Sequence, residues 1–168
     1  MALSDIIEAI GNNPVAEFVQ VNQYAFPVLE AAHVVAIMLV VGSIFMLDLR
    51  LVGVSSRNHA VTRLSAEVLP WTWTAFAVAA VTGALLFTSQ AGAYAQNLQF
   101  QLKLALMAAA GLNMLLFHFI TWRSVDAWNT ATPTPPAAKL AGLLSLVFWI
   151  GVVVCGRWVG WTVSAAPF

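Results

Sequence analysis

The sequence predicts an all-α integral membrane protein, a four-helix bundle with short interfacial amphipathic helices. Of its 168 residues, 61% are hydrophobic and only 8% are charged, which lies far outside the range of ordinary soluble domains. Four apolar segments are each long enough to cross the ~30 Å hydrocarbon layer as an α-helix. Because the chain has the length of one domain, we expect a single membrane domain over residues 1–168.

Residues 1–26 are expected to form an interfacial N-terminal segment. Asp5, followed three residues later by Glu8, is typical of the start of a short helix. Pro14, which follows an asparagine, marks the start of a second helix. The apolar residues between 15 and 24 are interspersed with polar ones, a pattern typical of a helix that lies flat at the membrane interface.

Apolar runs with polar flanks define the predicted membrane spans. The four spans are residues 27–54, 69–88, 101–122 and 140–163. Between the first two spans, residues 61–68 carry their apolar side chains on one side, which predicts a separate surface helix. Between the last two, the sequence TPTPP at 132–136 predicts a stiff, extended connector, because its prolines exclude a regular helix.

The four spans place both termini on one face of the membrane. The opposite face receives Arg50, Arg57, Arg63, Arg123 and Lys139. Loops that are rich in lysine and arginine face the cytoplasm. We therefore expect a multi-pass protein of the cell inner membrane with both termini periplasmic. Since the formal net charge is zero, we expect no nucleic-acid partner.

Polar residues inside the spans fall on two stripes. In the first span, Glu30, His33 and Asp48 share one side of the helix at 100° per residue. Ionisable side chains inside a membrane cost free energy unless they face protein, water or a ligand, so this stripe is the first functional candidate. The third span carries a second stripe within roughly 80° of one azimuth, which we also expect to face inward. That stripe comprises Gln99, Lys103, Asn113 and His118.

The topology predicts a site near the periplasmic face. Helix rise places His33, Lys103 and Arg157 at a similar depth, with Glu30 one turn above His33 and Trp158 beside Arg157. A b-type haem needs an imidazole for its iron, apolar walls for its porphyrin and cations for its propionates. We therefore predict haem b as the cofactor and His33 as the metal ligand, with Glu30 able to hold the imidazole tautomer.

Two other interpretations of these residues stay open. In one, Glu30, Lys103 and Arg157 only neutralise one another near the interface, and His33 only bonds a neighbouring helix. In the other, copper is bound by Glu30, His33 and the methionines of the spans, since thioether sulfur suits Cu(I).

The remaining polar residues suggest simpler roles. Interfacial ion pairs and anchors are expected of Asp48, Arg50, Arg123 and Asp126. His59 and His118 are candidates for a second site toward the cytoplasmic side. Cys155 is the single cysteine, so neither an internal disulfide nor a cysteine-based zinc site is expected.

Three segments carry a resemblance to known proteins. They are HVVAIMLVVGSIFMLDLRLVG at 33–53, TGALLF at 82–87 and FQLKLALMAAAGLNMLLFH at 100–118. These segments resemble small bacterial membrane proteins that include the copper-resistance D domain and the haem-binding protoporphyrinogen oxidase of the J type. The likeness covers about His33 to Arg157. It implies that His33 is the haem or metal position. It also implies that Leu102 and Lys103 match the LK pair of the third helix.

The chain also departs from that resemblance. Leu39 and Val40 stand where a tryptophan often follows the first-helix histidine, and the oxidase's third-helix histidine is displaced to His118. The resemblance therefore does not extend to porphyrinogen oxidation and points to an uncharacterised bacterial four-span family of this general type.

The expected function is electron transfer in the membrane. We expect a b-type haem protein that exchanges electrons with a quinone or a periplasmic redox partner, as an electron-transfer or accessory subunit rather than a stand-alone enzyme. The alternatives are a copper-handling membrane protein and a non-catalytic accessory subunit of a larger membrane complex. A homo-oligomer is a further expected assembly.

Overall fold

The computed structural model describes residues 3–55, 59–130 and 133–164, which are almost entirely helical and contain no strand. The predicted all-α fold is therefore confirmed. Within these residues lie α1 (Leu3–Gly11), α2 (Pro14–Val21), α3 (Ala25–Val52), α4 (Val61–Ser89), α5 (Ala91–Gln96), α6 (Leu98–Leu116) and α7 (Pro136–Ser164). After α6 the chain continues as a π-helical turn over Phe117–Thr121 and a 3-10 helix over Trp122–Ala127.

Four of the helices are long and apolar enough to cross a membrane. They are α3, α4, α7, and α6 together with its continuation to Ala127. The chain is thus a multi-pass membrane protein whose apolar helices contact the lipid bilayer. The first span lies two residues earlier than the predicted 27–54, and the third extends beyond both ends of the predicted 101–122.

The helix α4 is longer than the predicted second span. Residues 61–68, which the sequence suggested as a separate surface helix, are the first turns of α4, and Pro70 lies inside it. A proline removes one backbone hydrogen bond from a helix. Here the helix continues past it, and α4 packs along α3.

Two predicted connectors also contain helix. The helix α7 begins at Pro136, the last residue of the segment TPTPP that was predicted to be extended, whereas residues 133–135 before it are not helical. A proline is tolerated in the first turn of a helix, where its missing N–H would have no partner. In the loop before Phe100, residues Ala91–Gln96 form the short helix α5.

The spanning helices pack in the order α4, α3, α7 and α6. The described residues of α4 and α6 do not pack along one another, so the bundle has one open side, which we call the α4/α6 opening. The helices α3 and α7 cross closely at Gly142. A Cβ added there would lie only 3.1 Å from the Asp48 carbonyl oxygen. The α6/α7 crossing is close because a Cβ at Gly151 would lie 2.9 Å from Leu106.

The N-terminal helices cover one end of the bundle, which we call the terminal end. Here α1 packs against α5, and α2 packs against α4. Asn13 caps α2 by accepting hydrogen bonds from the N–H groups of Val15 and Ala16, as its position before Pro14 predicts. The Gln20 side chain donates to the Ser89 carbonyl at 2.9 Å, which fixes α2 to the last turn of α4.

Arg50 organises the opposite end of the bundle. Its side chain has no solvent exposure, and its guanidinium donates to the carbonyls of His59 at 2.9 Å and Asn129 at 3.3 Å. It also lies 3.5 Å from the Thr134 hydroxyl. The same Asn129 bonds Thr62 through its side chain. Arg50 therefore joins both connecting segments and is not the interfacial ion pair that the sequence suggested.

Asp48 is also buried rather than interfacial. It is 6% exposed and packs where α3 meets α7, with Ser145 as the hydroxyl that faces its carboxyl group. Its Oδ2 atom has no hydrogen-bond partner in the described part of the chain. The one salt bridge between described residues joins Arg63 and Glu67 at 3.0 Å on the surface of α4.

Replacing Arg50 should destabilise the bundle far more than replacing an exposed arginine. Arg50→Met leaves buried carbonyls without a donor, and each such loss costs about 1–3 kcal/mol. We expect the free energy of unfolding in detergent micelles to fall by about 2–4 kcal/mol.

The matched control is Arg63→Met, because the Arg63 side chain is 77% exposed in its pair with Glu67. Its expected change is below about 0.5 kcal/mol. Equal losses for the two variants would contradict the role assigned to Arg50.

Candidate functional site

His33 lies on α3 with its imidazole turned toward α4. The ring is half-buried, and its Nδ1 atom lies 2.9 Å from the Thr82 hydroxyl. That hydroxyl has one hydrogen, which it donates to the Val78 carbonyl at 2.7 Å. With that hydrogen on the Val78 carbonyl, the Thr82 oxygen accepts a hydrogen bond from Nδ1–H. His33 also makes a hydrogen bond with the backbone of Ala79.

Gly83 makes room for this imidazole. A Cβ at Gly83 would lie 2.7 Å from Cε1 of His33, closer than real Cβ atoms approach other atoms. The ring therefore rests on the backbone of α4 at the residue next to its hydrogen-bond partner. Thr82 and Gly83 together fix both the position and the rotation of the imidazole, a role that the sequence had offered to Glu30.

Lys103 on α6 lies half-buried beside α7. Its Cδ atom would be 3.7 Å from a Cβ at Gly156, and its Nζ atom lies 5.1 Å from the centre of the Phe100 ring. The ammonium group interacts electrostatically with Cys155 and with His33. His33 on α3 and Lys103 on α6 are thus near enough to interact electrostatically, although they lie on helices that are not neighbours in the packing order.

Three aromatic rings lie above this pair at the terminal end, and we call them the aromatic cap. The rings are those of Phe87, Tyr94 and Phe100, with centroids 5.5 to 6.1 Å apart. The Phe87 and Phe100 rings stack at 19° and so bridge the end of α4 and the start of α6. The cap closes the α4/α6 opening at this end.

Glu30 lies on the rim of the aromatic cap. Its side chain is exposed, and its charge acts on Tyr94. Burial first, and the negative charge of Glu30 second, raise the pKa of the Tyr94 hydroxyl. Tyr94 therefore keeps its O–H proton at neutral pH and remains a hydrogen-bond donor at the rim.

The other two predicted site residues lie on the surface of α7. Arg157 is exposed, and the Trp158 side chain is 58% exposed. Within the described part of the chain, neither joins the His33–Lys103 pair through a hydrogen bond or an ion pair. Of the five predicted site residues, His33 and Lys103 are therefore the two that the described part of the chain shows to be partly buried and to interact electrostatically.

The predicted inward stripe of the third span is only partly inward. Asn113 donates to the Ala141 carbonyl of α7 at 2.9 Å, but His118 is exposed and stacks on Trp122 at 5.9 Å. His118 lies in the π-helical turn. A π-helical turn is wider than an α-helical one and shifts the side chains that follow out of the 100° register.

Metal-binding side chains do not cluster in the described residues. These residues contain no group of three or more His, Cys, Asp or Glu side chains that could hold a metal ion. Met38, Met46 and Met114 are 60%, 54% and 42% exposed, so they point away from the bundle interior.

His59 is exposed, and its backbone carbonyl accepts a hydrogen bond from Arg50. Arg57 lies outside the described residues.

Thr82 is the site residue that sequence reasoning missed. A threonine in an apolar span usually bonds a carbonyl of its own helix, and nothing in the local sequence tells it from Thr72 or Thr74. The available signal was the glycine that follows it, because a glycine in a membrane helix permits a neighbouring helix to approach closely. The partner of Gly83 is 50 residues away in the chain, and only the fold identifies it.

Comparison with known proteins places the chain in a family but not among proteins of known activity. No curated protein and no solved structure matches the chain. The resemblance to the copper-resistance D domain and to the J-type oxidase therefore stays a prediction. A family model described as a family of unknown function, DUF6644, matches residues 22–162. That range includes the four spans almost completely, and the chain therefore belongs to the DUF6644 family.

Proposed function

We propose that this chain is an inner-membrane b-type haem protein in which His33 ligates the iron and which exchanges electrons with a quinone or periplasmic redox partner. The hydrogen bond from His33 Nδ1–H to Thr82 carries the proposal. Histidines that bind metals almost always donate their other ring N–H to a protein acceptor, which fixes the tautomer and the ring orientation. His33 has such an acceptor in Thr82, and in this proposal Nε2 would be the nitrogen that binds the metal.

Two features near His33 support a haem with one protein ligand. A haem requires apolar walls and cations near its propionates, and the His33 level of the bundle supplies apolar helices and the half-buried Lys103. When bound, haem supplies one-electron redox chemistry. Lys103 would offset a negative charge at the site, while Thr82 and Gly83 would hold the imidazole in place.

The charge distribution supports an orientation for this protein. Arg50, Arg63, Arg123 and Lys139 lie at the ends of spans opposite α1 and α2. By the preference of basic loops for the cytoplasm, the terminal end and the His33 site would face the periplasm of an inner membrane. The copper alternative has less support, because Met38, Met46 and Met114 are exposed and the described residues hold no cluster of metal ligands.

The haem proposal predicts that one histidine controls the optical spectrum. Protein purified in mild detergent should show a Soret band, and His33→Ala should remove it because the axial ligand is lost. His118→Ala is the matched control, since His118 is exposed on the π-helical turn, and it should leave the band unchanged. A protein without a Soret band, or a band that survives His33→Ala, contradicts the proposal.

The orienting role of Thr82 predicts a weaker metal site in Thr82→Val. Valine keeps the shape of the side chain but cannot accept from His33 Nδ1–H, and loss of such outer hydrogen bonds typically weakens metal affinity about 10–100-fold. Titration of haem into the apoprotein should show this loss. Thr74→Val is the control, because the Thr74 hydroxyl bonds only its own helix at Pro70 among the described residues. Unchanged affinity in Thr82→Val refutes the role.

A further inference from the structure

We infer that Asp48 is a proton-binding site between α3 and α7, whose carboxyl group stays a neutral acid under conditions in which the exposed aspartates of the chain are ionised. The bundle loses stability when this proton leaves. The site lies toward the end of the bundle that holds Arg50, and the inference does not depend on haem binding.

The first step is the burial of the carboxyl group. Asp48 lies inside the first span, four residues before the end of α3 at Val52, and it is 6% exposed. Its Oδ2 atom is out of contact with solvent and has no hydrogen-bond partner in the described part of the chain. An ionised carboxylate in apolar surroundings is costly unless a cation or several donors compensate it. Asp48 therefore needs either a counter-charge or a proton.

The second step is the packing around the carboxyl group. A Cβ at Gly142 of α7 would lie 3.1 Å from the Asp48 carbonyl oxygen and 3.2 Å from the Leu51 Cβ. Ser145 lies three residues after Gly142 and so on the same side of α7. Toward the end of α3, Leu51 belongs to a buried hydrophobic cluster that also contains Ala138. Asp48 is thus enclosed by two closely packed helices and borders an apolar cluster.

The third step is the missing counter-charge. The charged or titratable side chains at this end of the described chain are Arg50 on α3, His59 before α4, Arg63 and Glu67 on α4, Arg123 and Asp126 on the 3-10 helix, and Lys139 on α7. The Arg50 guanidinium bonds the connecting segments, and Arg63 pairs with Glu67 on the surface. Lys139 lies about 120° around α7 from Ser145. Among the described residues, the one side chain that acts on the Asp48 carboxyl group is the Ser145 hydroxyl.

The fourth step is the choice between a carboxylate and an acid. A carboxylate has only acceptor atoms, and one hydroxyl donor does not offset a full charge taken out of water. A carboxylic acid can donate its O–H to the Ser145 oxygen, and its other oxygen is then an uncharged carbonyl oxygen. An uncharged oxygen without a partner costs less than an unpaired charge. The unpartnered Oδ2 atom fits the acid.

A metal ion fits this position less well than a proton. Hard cations take six or more oxygen ligands, whereas this site offers one carboxyl group and one hydroxyl. The described residues also hold no group of three or more His, Cys, Asp or Glu side chains around it.

Isotope-edited infrared spectroscopy tests the protonation state on the unmodified protein. The chain has three aspartates, of which Asp5 and Asp126 are exposed. Protein with a heavy carbon isotope in its aspartate carboxyl groups is measured in lipid nanodiscs at about pH 6, roughly two units above the usual aspartate pKa. We expect one carboxylic-acid C=O band and the bands of two carboxylates. Carboxylate bands alone overturn the inference.

Three variants assign the acid band. Asp48→Asn should remove it, whereas Asp126→Asn, the matched control on the surface, should leave it unchanged, as should Asp5→Asn. If Asp48→Asn does not fold, survival of the band in both control variants assigns it to Asp48 by elimination. An acid band that disappears in either control variant overturns the inference.

The bound proton also gives the stability a defined dependence on pH. An aspartate in the unfolded chain has a pKa of about 3.9, so above about pH 5 the folded state binds one more proton than the unfolded state and stability falls as pH rises. Relative to Asp48→Asn, the folding equilibrium constant of the unmodified protein should fall about tenfold per pH unit until the folded state also releases its proton.

Equilibrium unfolding in mixed micelles measures this dependence. Asp126→Asn should follow the unmodified protein at every pH, because Asp126 is exposed. A ratio between the unmodified protein and Asp48→Asn that stays constant with pH, or that increases with it, contradicts the inference.

Discussion

A hydrogen-bonding side chain inside a bilayer must find its partner within the protein, and for His33 that partner is Thr82. The bond requires the imidazole to rest on the backbone of α4, which only a glycine at position 83 permits. It fixes how α3 and α4 face each other. The other two spans are then added to α3 through the close crossing at Gly142 and to α7 through Gly151. The placement of Lys103 opposite the imidazole follows from this chain of contacts.

The two ends of the bundle satisfy their polar groups in different ways. At the terminal end, rings stack, an ammonium lies near a ring face, and the carboxylate of Glu30 remains exposed. At the other end, Arg50 is fully buried and bonds oxygen atoms of two connecting segments. One end is therefore closed by aromatic side chains and a single cation, whereas the other is held by a hydrogen-bond network. His33 and Lys103 lie between these two ends. They are polar side chains near the side of the bundle where the described residues of α4 and α6 do not pack along one another.

Hydropathy was sufficient to predict the helical class and the four spans, because long apolar runs have few alternatives in a membrane. Ideal periodicity correctly paired Lys103 with Asn113 on the inward side of α6. It failed at His118, since a π-helical turn changes the angle per residue. It also began the second span too late, at residue 69, because residues 61–68 are the first turns of α4 and the helix continues through Pro70. The role of Thr82 was out of reach because a contact between residues 49 positions apart leaves no local pattern.

The bonds of Arg50 have a consequence for how the chain is made. The ribosome delivers α3 and α4 before Asn129 and Thr134 exist, so the first hairpin enters the translocon with a guanidinium that lacks two of its final acceptors. Water or lipid phosphate must solvate this charge until the second hairpin emerges. The network around Arg50 is therefore completed only when the last connecting segment has been synthesised.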